Sequence, residues 1–163
     1  MRDIPEGSPA PAFDMPTDDG GRVSLDDLKG KSVVLYFYPK ADTPGCTNEG
    51  KDFTAMKTAF ARKGAVVIGV SKDPVKKLAK FRAKYELGVV LASDEDGAVC
   101  EAYGVWGEKT LYGRVYMGIE RATFLIGPDG VVKKAWRNVK VPGHAFFTTP
   151  SGPIRKVARS MPI

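Results

Sequence analysis

Cysteine and histidine are scarce in this chain of 163 residues, which holds two cysteines, Cys46 and Cys100, and one histidine, His144. Two cysteines cannot build the multi-bridge framework of a small secreted domain, and the ligand set of a structural zinc site is missing. No metal and no cofactor is therefore expected. Long hydrophobic runs are absent too. The longest, residues 33–38, is strand-sized and far short of the ~18 residues a membrane span needs. The first residues lack the apolar stretch of a secretory signal. These absences predict a cytoplasmic protein with no membrane association. Charge is not concentrated either. The net charge of +6 is spread along the chain, with doublets such as Lys76-Lys77 and Lys133-Lys134 as the densest clusters. A solvated basic surface is expected, and no nucleic-acid partner, because no aromatic-interleaved basic motif appears. With so few thiols and no export signal, each cysteine becomes a candidate reactive group.

The length suits one domain spanning residues 1–163 with its own core, and the 43% apolar content agrees. Residues 1–24 are rich in Pro, Gly and Asp and read as extended segments joined by turns, with Asp18-Asp19-Gly20-Gly21 as a strong turn signal. Ser24 is placed to cap a short helical turn through Leu28, ended by Gly30. Residues 32–38 (SVVLYFY) form a continuous β-branched and aromatic run, the pattern of a central strand covered on both faces. A helix is predicted from about residue 46 to 62, with Phe53, Met56 and Phe60 on its apolar face. Residues 65–70 give a second buried strand. Asp73 then reads as an N-cap, followed by Pro74 at the first position of a helix running to Tyr85. Residues 89–92 form a short strand and 94–103 a short helix. The Gly-rich stretch 104–119 reads as a long loop. Segments 122–126 and 131–136 flank Gly127-Pro128-Asp129-Gly130 and predict a β-hairpin. The tail, about residues 145–163, is less regular, with a short amphipathic helix at 154–161.

The order β-α-β-α-β-α-β-β predicts an α/β domain: a central mixed sheet flanked by helices, with an N-terminal β extension. A thioredoxin-like layout suits this order better than a dinucleotide-binding one, because the first strand–helix junction lacks spaced glycines.

The informative junction is residues 36–49. A buried strand ends, a loop with two prolines and a glycine turns, and Cys46 stands where a helix begins. The thiolate is the reactive form of cysteine, and the unpaired N–H groups at a helix start favour an anion. Pro39-x-x-x-Thr43-x-x-Cys46 resembles the active-site pattern of peroxiredoxins. Thr43-Pro44-Gly45-Cys46-Thr47 and Phe37-Tyr38-Pro39-Lys40 resemble their Q subfamily, the bacterioferritin comigratory proteins. Gly69-Val70-Ser71, Ser93-Asp94-Glu95-Asp96-Gly97, Tyr112-Gly113-Arg114 and the run from Gly118 through Arg121 to Ile126 match in order, so the resemblance covers about residues 5–144.

The resemblance implies a thiol peroxidase acting on hydrogen peroxide and organic hydroperoxides in antioxidant defence, as a monomer or weak homodimer. Cys46 would be the peroxidatic thiol, Thr43 would align the peroxide through its hydroxyl, and Pro39 would shield the site. Arg121 would hold the thiolate and the charge developing on the leaving oxygen. The N–H groups of Gly45 and Cys46 would add donors, and Glu49 would orient Arg121. Each role has a plainer alternative: Thr43 as a turn residue, Arg121 as a surface partner of Glu120, Glu49 as a first-turn acid. An interaction protein of the same fold, using Cys46 oxidation as a signal or as a holdase trigger, is the alternative function.

Many members of the subfamily carry a second cysteine five residues after the first, where this chain has Lys51, and a family variant places it near residues 81–85, where none occurs. Cys100 is then either a resolving thiol or a small core residue. Without a resolver, an external thiol of the thioredoxin, glutaredoxin or glutathione type would reduce Cys46. His144 reads as a polar loop residue. Trp106, Tyr112, Tyr116 and Met117 either line an apolar mouth for organic hydroperoxides or cover the core or a subunit contact.

Overall fold

The computed structural model describes residues 4–150, so the 154–161 helix lies outside the described residues. Five strands form the main sheet: β3 (Ser32–Phe37), β4 (Ala65–Ser71), β5 (Val90–Ser93), β8 (Ala122–Ile126) and β9 (Val132–Trp136), in the order β5-β4-β3-β8-β9. β3 runs parallel to β4, and β4 to β5, whereas β8 is antiparallel to both β3 and β9. The mixed α/β sheet is thus thioredoxin-like, as expected. β1 (Asp14–Pro16) and β2 (Arg22–Ser24) form the N-terminal extension around the Asp-Gly turn. After them, the N–H of Asp27 donates to Ser24 Oγ at 3.3 Å, the local cap that the sequence suggests.

The continuous apolar run of β3 is explained by burial on both faces. Val33, Leu35 and Phe37 join one cluster with Met15, Val99, Cys100 and Tyr103, while Val34, Tyr36 and Tyr38 join another with Cys46, Phe53, Phe60, Leu78 and Phe81. A strand alternates its side chains between faces, so the sheet separates these two clusters. Helices α1 (Pro44–Ala55), α2 (Lys57–Arg62) and α3 (Val75–Tyr85) cover the second face, and α4 (Ala98–Ala102) the first.

Several expected elements differ in detail. The single helix at 46–62 is two, interrupted at Met56 (φ −99°, ψ 10°). Thr54 contributes to that break. Its hydroxyl donates back to the Gly50 carbonyl at 2.7 Å and accepts from the Gly88 N–H at 2.9 Å, a type of back-bond that bends helices. Phe60 nevertheless stays packed on Phe53, with ring centroids 5.8 Å apart. The helix expected at 94–103 is shortened because its start is a turn. Asp94 accepts from the N–H groups of Val99 and Cys100, and Asp96 from that of Ala98.

The stretch at 104–119 is not a loop. It is a hairpin of β6 (Trp106–Leu111) and β7 (Arg114–Ile119). Tyr112 (φ 51°) and Gly113 (φ 77°) both adopt the left-handed region, the conformation of a type I′ turn. A tyrosine at the first turn position conceals the signal that Asn or Asp would give.

Asp73 does more than begin a helix. α3 starts one residue later than expected, after Pro74, and without a side-chain cap. The Asp73 carboxylate instead accepts from the Ala41 N–H and from Ser71 Oγ, both at 2.8 Å. This fastens the loop after β3 to the end of β4, directly before the helix that carries Cys46. Asp73→Ala leaves the buried Ala41 N–H without an acceptor and is expected to cost about 1–3 kcal/mol in urea unfolding. It should also slow Cys46 oxidation, since the loop is no longer held. Unchanged stability together with unchanged oxidation would show that the anchor is dispensable.

Candidate active site

β3 ends in a loop at Pro39, and α1 begins at Pro44, with Thr43 at the N-cap in extended backbone (φ −107°, ψ 156°). Proline at the first helical position suits both its fixed φ and its missing N–H. The helix therefore starts two residues earlier than the sequence suggests, which puts Gly45 and Cys46 within the first turn. First-turn N–H groups have no intrahelical acceptor, so those of Gly45 and Cys46 remain as donors near the sulfur. Cys46 is 2% exposed and packs among Tyr36, Tyr38 and Ala41.

Arg121 immediately precedes β8, the strand beside β3, and this adjacency brings its side chain across to α1. Nη2 lies 3.4 Å from Cys46 Sγ, and Nη1 donates to Glu49 Oε1 at 2.6 Å. The guanidinium thus bridges a sulfur and a carboxylate on successive turns of one helix. The surface pairing of Arg121 with Glu120 does not occur. Glu120 binds Arg137 instead, through both carboxylate oxygens. Burial works against the charge of Arg121, and Cys46 and Glu49 beside it more than restore it. Gly45 makes room for this approach: a Cβ there would stand 3.0 Å from Nη2, and the guanidinium would have to give by a few tenths of an ångström.

Glu49 is itself buried at 1% exposure. Burial lifts its carboxyl to about 7, while Arg121 pulls the other way. Its second oxygen, Oε2, has no hydrogen-bond partner among the described residues. Thr43 Oγ1 donates to the Lys40 carbonyl at 2.8 Å, which leaves the hydroxyl oxygen's lone pairs available as acceptors. Pro39 is half-buried in the same loop. Pro39 and Thr43 in the β3–α1 connection, Gly45, Cys46 and Glu49 in the first turns of α1, and Arg121 just before β8 therefore lie on two adjoining segments.

Cys100 lies elsewhere. Its neighbours, Val99, Tyr103 and Phe37, belong to the opposite face of the sheet from Cys46. Burial first, and then the Asp94 carboxylate, push its thiol far above the ordinary cysteine range. His144 is not a polar loop residue. It opens the short helix α5 (His144–Phe147), is buried, and meets Thr123 Oγ1 through Nε2 at 2.8 Å. Burial, with Arg121 adding to it, pushes His144 down to about 4, so the ring is neutral in neutral solution. Of the four aromatic and sulfur residues singled out in the hairpin, Trp106 packs against the core, while Tyr112, Tyr116 and Met117 are exposed. Sequence reasoning did not find Asp73 as the loop anchor, because its partner Ala41 donates a backbone group that no pattern reveals.

Residues 7–135 match the model of the AhpC/TSA family. A putative peroxiredoxin Bcp of Coxiella burnetii is 52% identical over 141 residues, covering 86% of this chain and 93% of that protein. Among solved structures, the peroxiredoxin Q of Xylella fastidiosa superposes with a TM-score of 0.86 at 38% identity, over 91% of this chain and 95% of that one. The bacterioferritin comigratory protein of Xanthomonas campestris, described with alkyl peroxide reduction activity, gives 0.80 at 44%, over 84% and 87%.

A pH dependence of stability follows from Glu49. Its carboxyl is lifted in the folded state from 4.5 to about 7. The contribution of its neutral form is complete below pH 4.5 and is lost as pH rises through about 7, up to about 3 kcal/mol. Glu49→Gln removes the ionisation, so its stability should fall less than the wild type's between pH 4.5 and 8 in urea titrations. Parallel profiles for the two proteins would contradict a buried Glu49 with a raised pKa.

Proposed function

The chain belongs to the AhpC/TSA family as a peroxiredoxin of the Q type and is a peroxidase, and from that we propose that Cys46 is the thiol that attacks the peroxide. The observation that carries this reading is the Arg121 guanidinium 3.4 Å from Cys46 Sγ at the start of α1. A fixed cation and first-turn donors next to a sulfur stabilise its thiolate form and any oxyanion formed beside it.

The chemistry proceeds in two stages. The Cys46 thiolate attacks one oxygen of ROOH, an S–O bond forms and the O–O bond breaks. Cys46 becomes a sulfenic acid, and the other oxygen leaves as RO⁻, which takes a proton from water to give water or an alcohol. Thr43 accepts a hydrogen bond from the peroxide and sets its line of approach. Pro39 limits water around the sulfur. Arg121 meets the charge that grows on the leaving oxygen, and Glu49 keeps the guanidinium in place.

In the second stage an external thiol restores Cys46. It attacks the sulfenic sulfur, releasing water and forming a mixed disulfide, and a further thiol reduces that disulfide. Two observations support an external thiol: Lys51 occupies the subfamily's usual partner position, and Cys100 lies across the sheet. A bridge between the two cysteines needs Cα atoms within roughly 7 Å, which the intervening sheet prevents without large unfolding. Reductants of the thioredoxin, glutaredoxin or glutathione type are suited to this role. A cytoplasmic setting, where such thiols are kept reduced, is the compartment proposed. Hydrogen peroxide and organic hydroperoxides are both proposed as substrates.

Steady-state peroxidase assays separate these claims. Cys46→Ser is expected to abolish peroxide-dependent thiol consumption, and retained turnover would reject Cys46 as the nucleophile. Cys100→Ser is expected to turn over like the wild type with a small external thiol. A tenfold loss with Cys100→Ser would instead assign that cysteine the resolving role.

A further inference from the structure

Helix α3 carries a charge imbalance that the chemistry at Cys46 does not use. Its 11 residues, VKKLAKFRAKY, include Lys76, Lys77, Lys80, Arg82 and Lys84 and no acidic side chain. Arg82 turns to Asp18 and to the carbonyls of Leu87 and Val89. Lys77 lies 3.5 Å from Asp73, and Lys84 lies 3.0 Å from Asp42. Lys76 and Lys80 are exposed, one helical turn apart, and have no ion-pair partner among the described residues. Lys76 also stands in the first turn, where the helix dipole disfavours positive charge, so the helix itself gains nothing from it.

Direct contacts join this face to the segment that carries Cys46. Tyr85, at the end of α3, donates to the Asp42 carboxylate at 2.6 Å, and Asp42 directly precedes Thr43, the N-cap of α1. From α1, the Lys51 ammonium stands 5.6 Å from the centre of the Tyr85 ring. Lys51 is exposed and has no carboxylate partner among the described residues either. Asp42 and Lys51 bracket Cys46 in the chain. Asp42 is at most about 14 Å of extended chain from Cys46, and Lys51 about 7.5 Å along the helix axis. Lys76, Lys77, Lys80 and Lys84, with Asp42 and Phe81, bound a surface groove of about 500 Å³.

A protein that presents a thiol to Cys46 cannot avoid this surface. A specific protein contact buries about 800 Å² on each partner, a patch roughly 30 Å across. Centred on the β3–α1 connection, such a contact covers Asp42 and the Lys84 end of the groove. We propose that the lysine face of α3, together with Lys51, is the docking surface of the protein thiol that reduces oxidised Cys46, and that the partner's matching face is acidic around its thiol. This rests on the reading of Cys46 as a reactive thiol restored from outside the chain. Charge pairing of this kind speeds encounter and fixes orientation more than it adds affinity. A nucleic-acid strand suits the groove less well, because a carboxylate lies within it and no exposed aromatic ring lines it for bases to stack on.

Two short cysteine peptides test the surface, one with glutamates beside the cysteine and one with glutamines in their place. Each is mixed with peroxide-treated protein, and formation of the mixed disulfide at Cys46 is timed by quenching and mass spectrometry. Changes in the reactivity of the sulfur move both rates together, so their ratio reports the charge of the docking surface. At low ionic strength, Lys76→Gln combined with Lys80→Gln is expected to lower the acidic-to-neutral ratio about fivefold, the size of two unit charges acting at about 10 Å through a largely aqueous medium. The loss should shrink in about 0.5 M salt. Glutamine is close to lysine in helix propensity, so α3 stays formed. Lys133→Gln combined with Lys134→Gln removes the same charge from β9, the sheet edge opposite β5, against which α3 packs, and should keep the wild-type ratio. An unchanged ratio in the α3 variant, or an equal loss in the β9 variant, would overturn the inference. Weakened binding of a single-stranded oligonucleotide by the α3 variant, with the peptide ratio unchanged, would overturn it in favour of a nucleic-acid partner. Peroxidase activity retained in Cys46→Ser would instead remove the premise, so the two failures are distinguishable.

Discussion

One guanidinium sets the arrangement of the site. Arg121 reaches Cys46 Sγ with one nitrogen and Glu49 with the other, and each contact depends on a different part of the fold. The antiparallel pairing of β8 with β3 places Arg121 beside the mouth of the β3–α1 connection. The spacing of Cys46 and Glu49 on α1 presents sulfur and carboxylate to the same side chain, because residues three apart share a helix face. Gly45 leaves the gap through which Nη2 approaches. A buried carboxylate beside a buried cation is not a strong stabiliser by itself, since desolvation offsets most of the attraction. Its value here is positional: a cation is fixed against a sulfur in a site nearly closed to water.

The surrounding structure holds this geometry from two sides. Asp73 fastens the loop ahead of α1 through the Ala41 N–H. Neutral His144, bonded to Thr123 in β8, fills the space against Phe53 and Trp136 without adding charge close to Arg121. The β6–β7 hairpin, which leads into Arg121, is tied at its base by the bond from the Lys109 ammonium to the Ile119 carbonyl. Cys100 takes no part in this arrangement. It is a small buried residue under the Asp94 turn on the other face of the sheet, which agrees with the proposed renewal of Cys46 by a thiol from outside the chain.

Much of this was legible in the order of the residues. The apolar run at 32–38, the turn at 127–130 and the alternation of strands and helices pointed to the mixed sheet, because burial on both faces of a strand leaves a continuous apolar signature. The Pro39, Thr43 and Cys46 spacing and the distant Arg121 pointed to a single site through the family resemblance. Other features depend on contacts that no local pattern carries. The 106–119 hairpin turns on Tyr112 in a left-handed conformation, an unusual residue for that position. The break at Met56 follows a hydroxyl back-bond from Thr54. Asp73 and His144 act through partners more than twenty residues away in sequence, Ala41 and Thr123. Their side chains are polar, so a reading by composition assigned them to a helix cap and a surface loop.

The central claim is that Cys46, and not Cys100, meets the peroxide. Trapping the first oxidation product tests it most directly. The protein is treated with one equivalent of peroxide in the presence of a nucleophile selective for sulfenic acids, digested, and mapped by mass spectrometry. The account predicts the adduct on the peptide containing Cys46 and an unmodified Cys100. An adduct on Cys100 with Cys46 intact would contradict it.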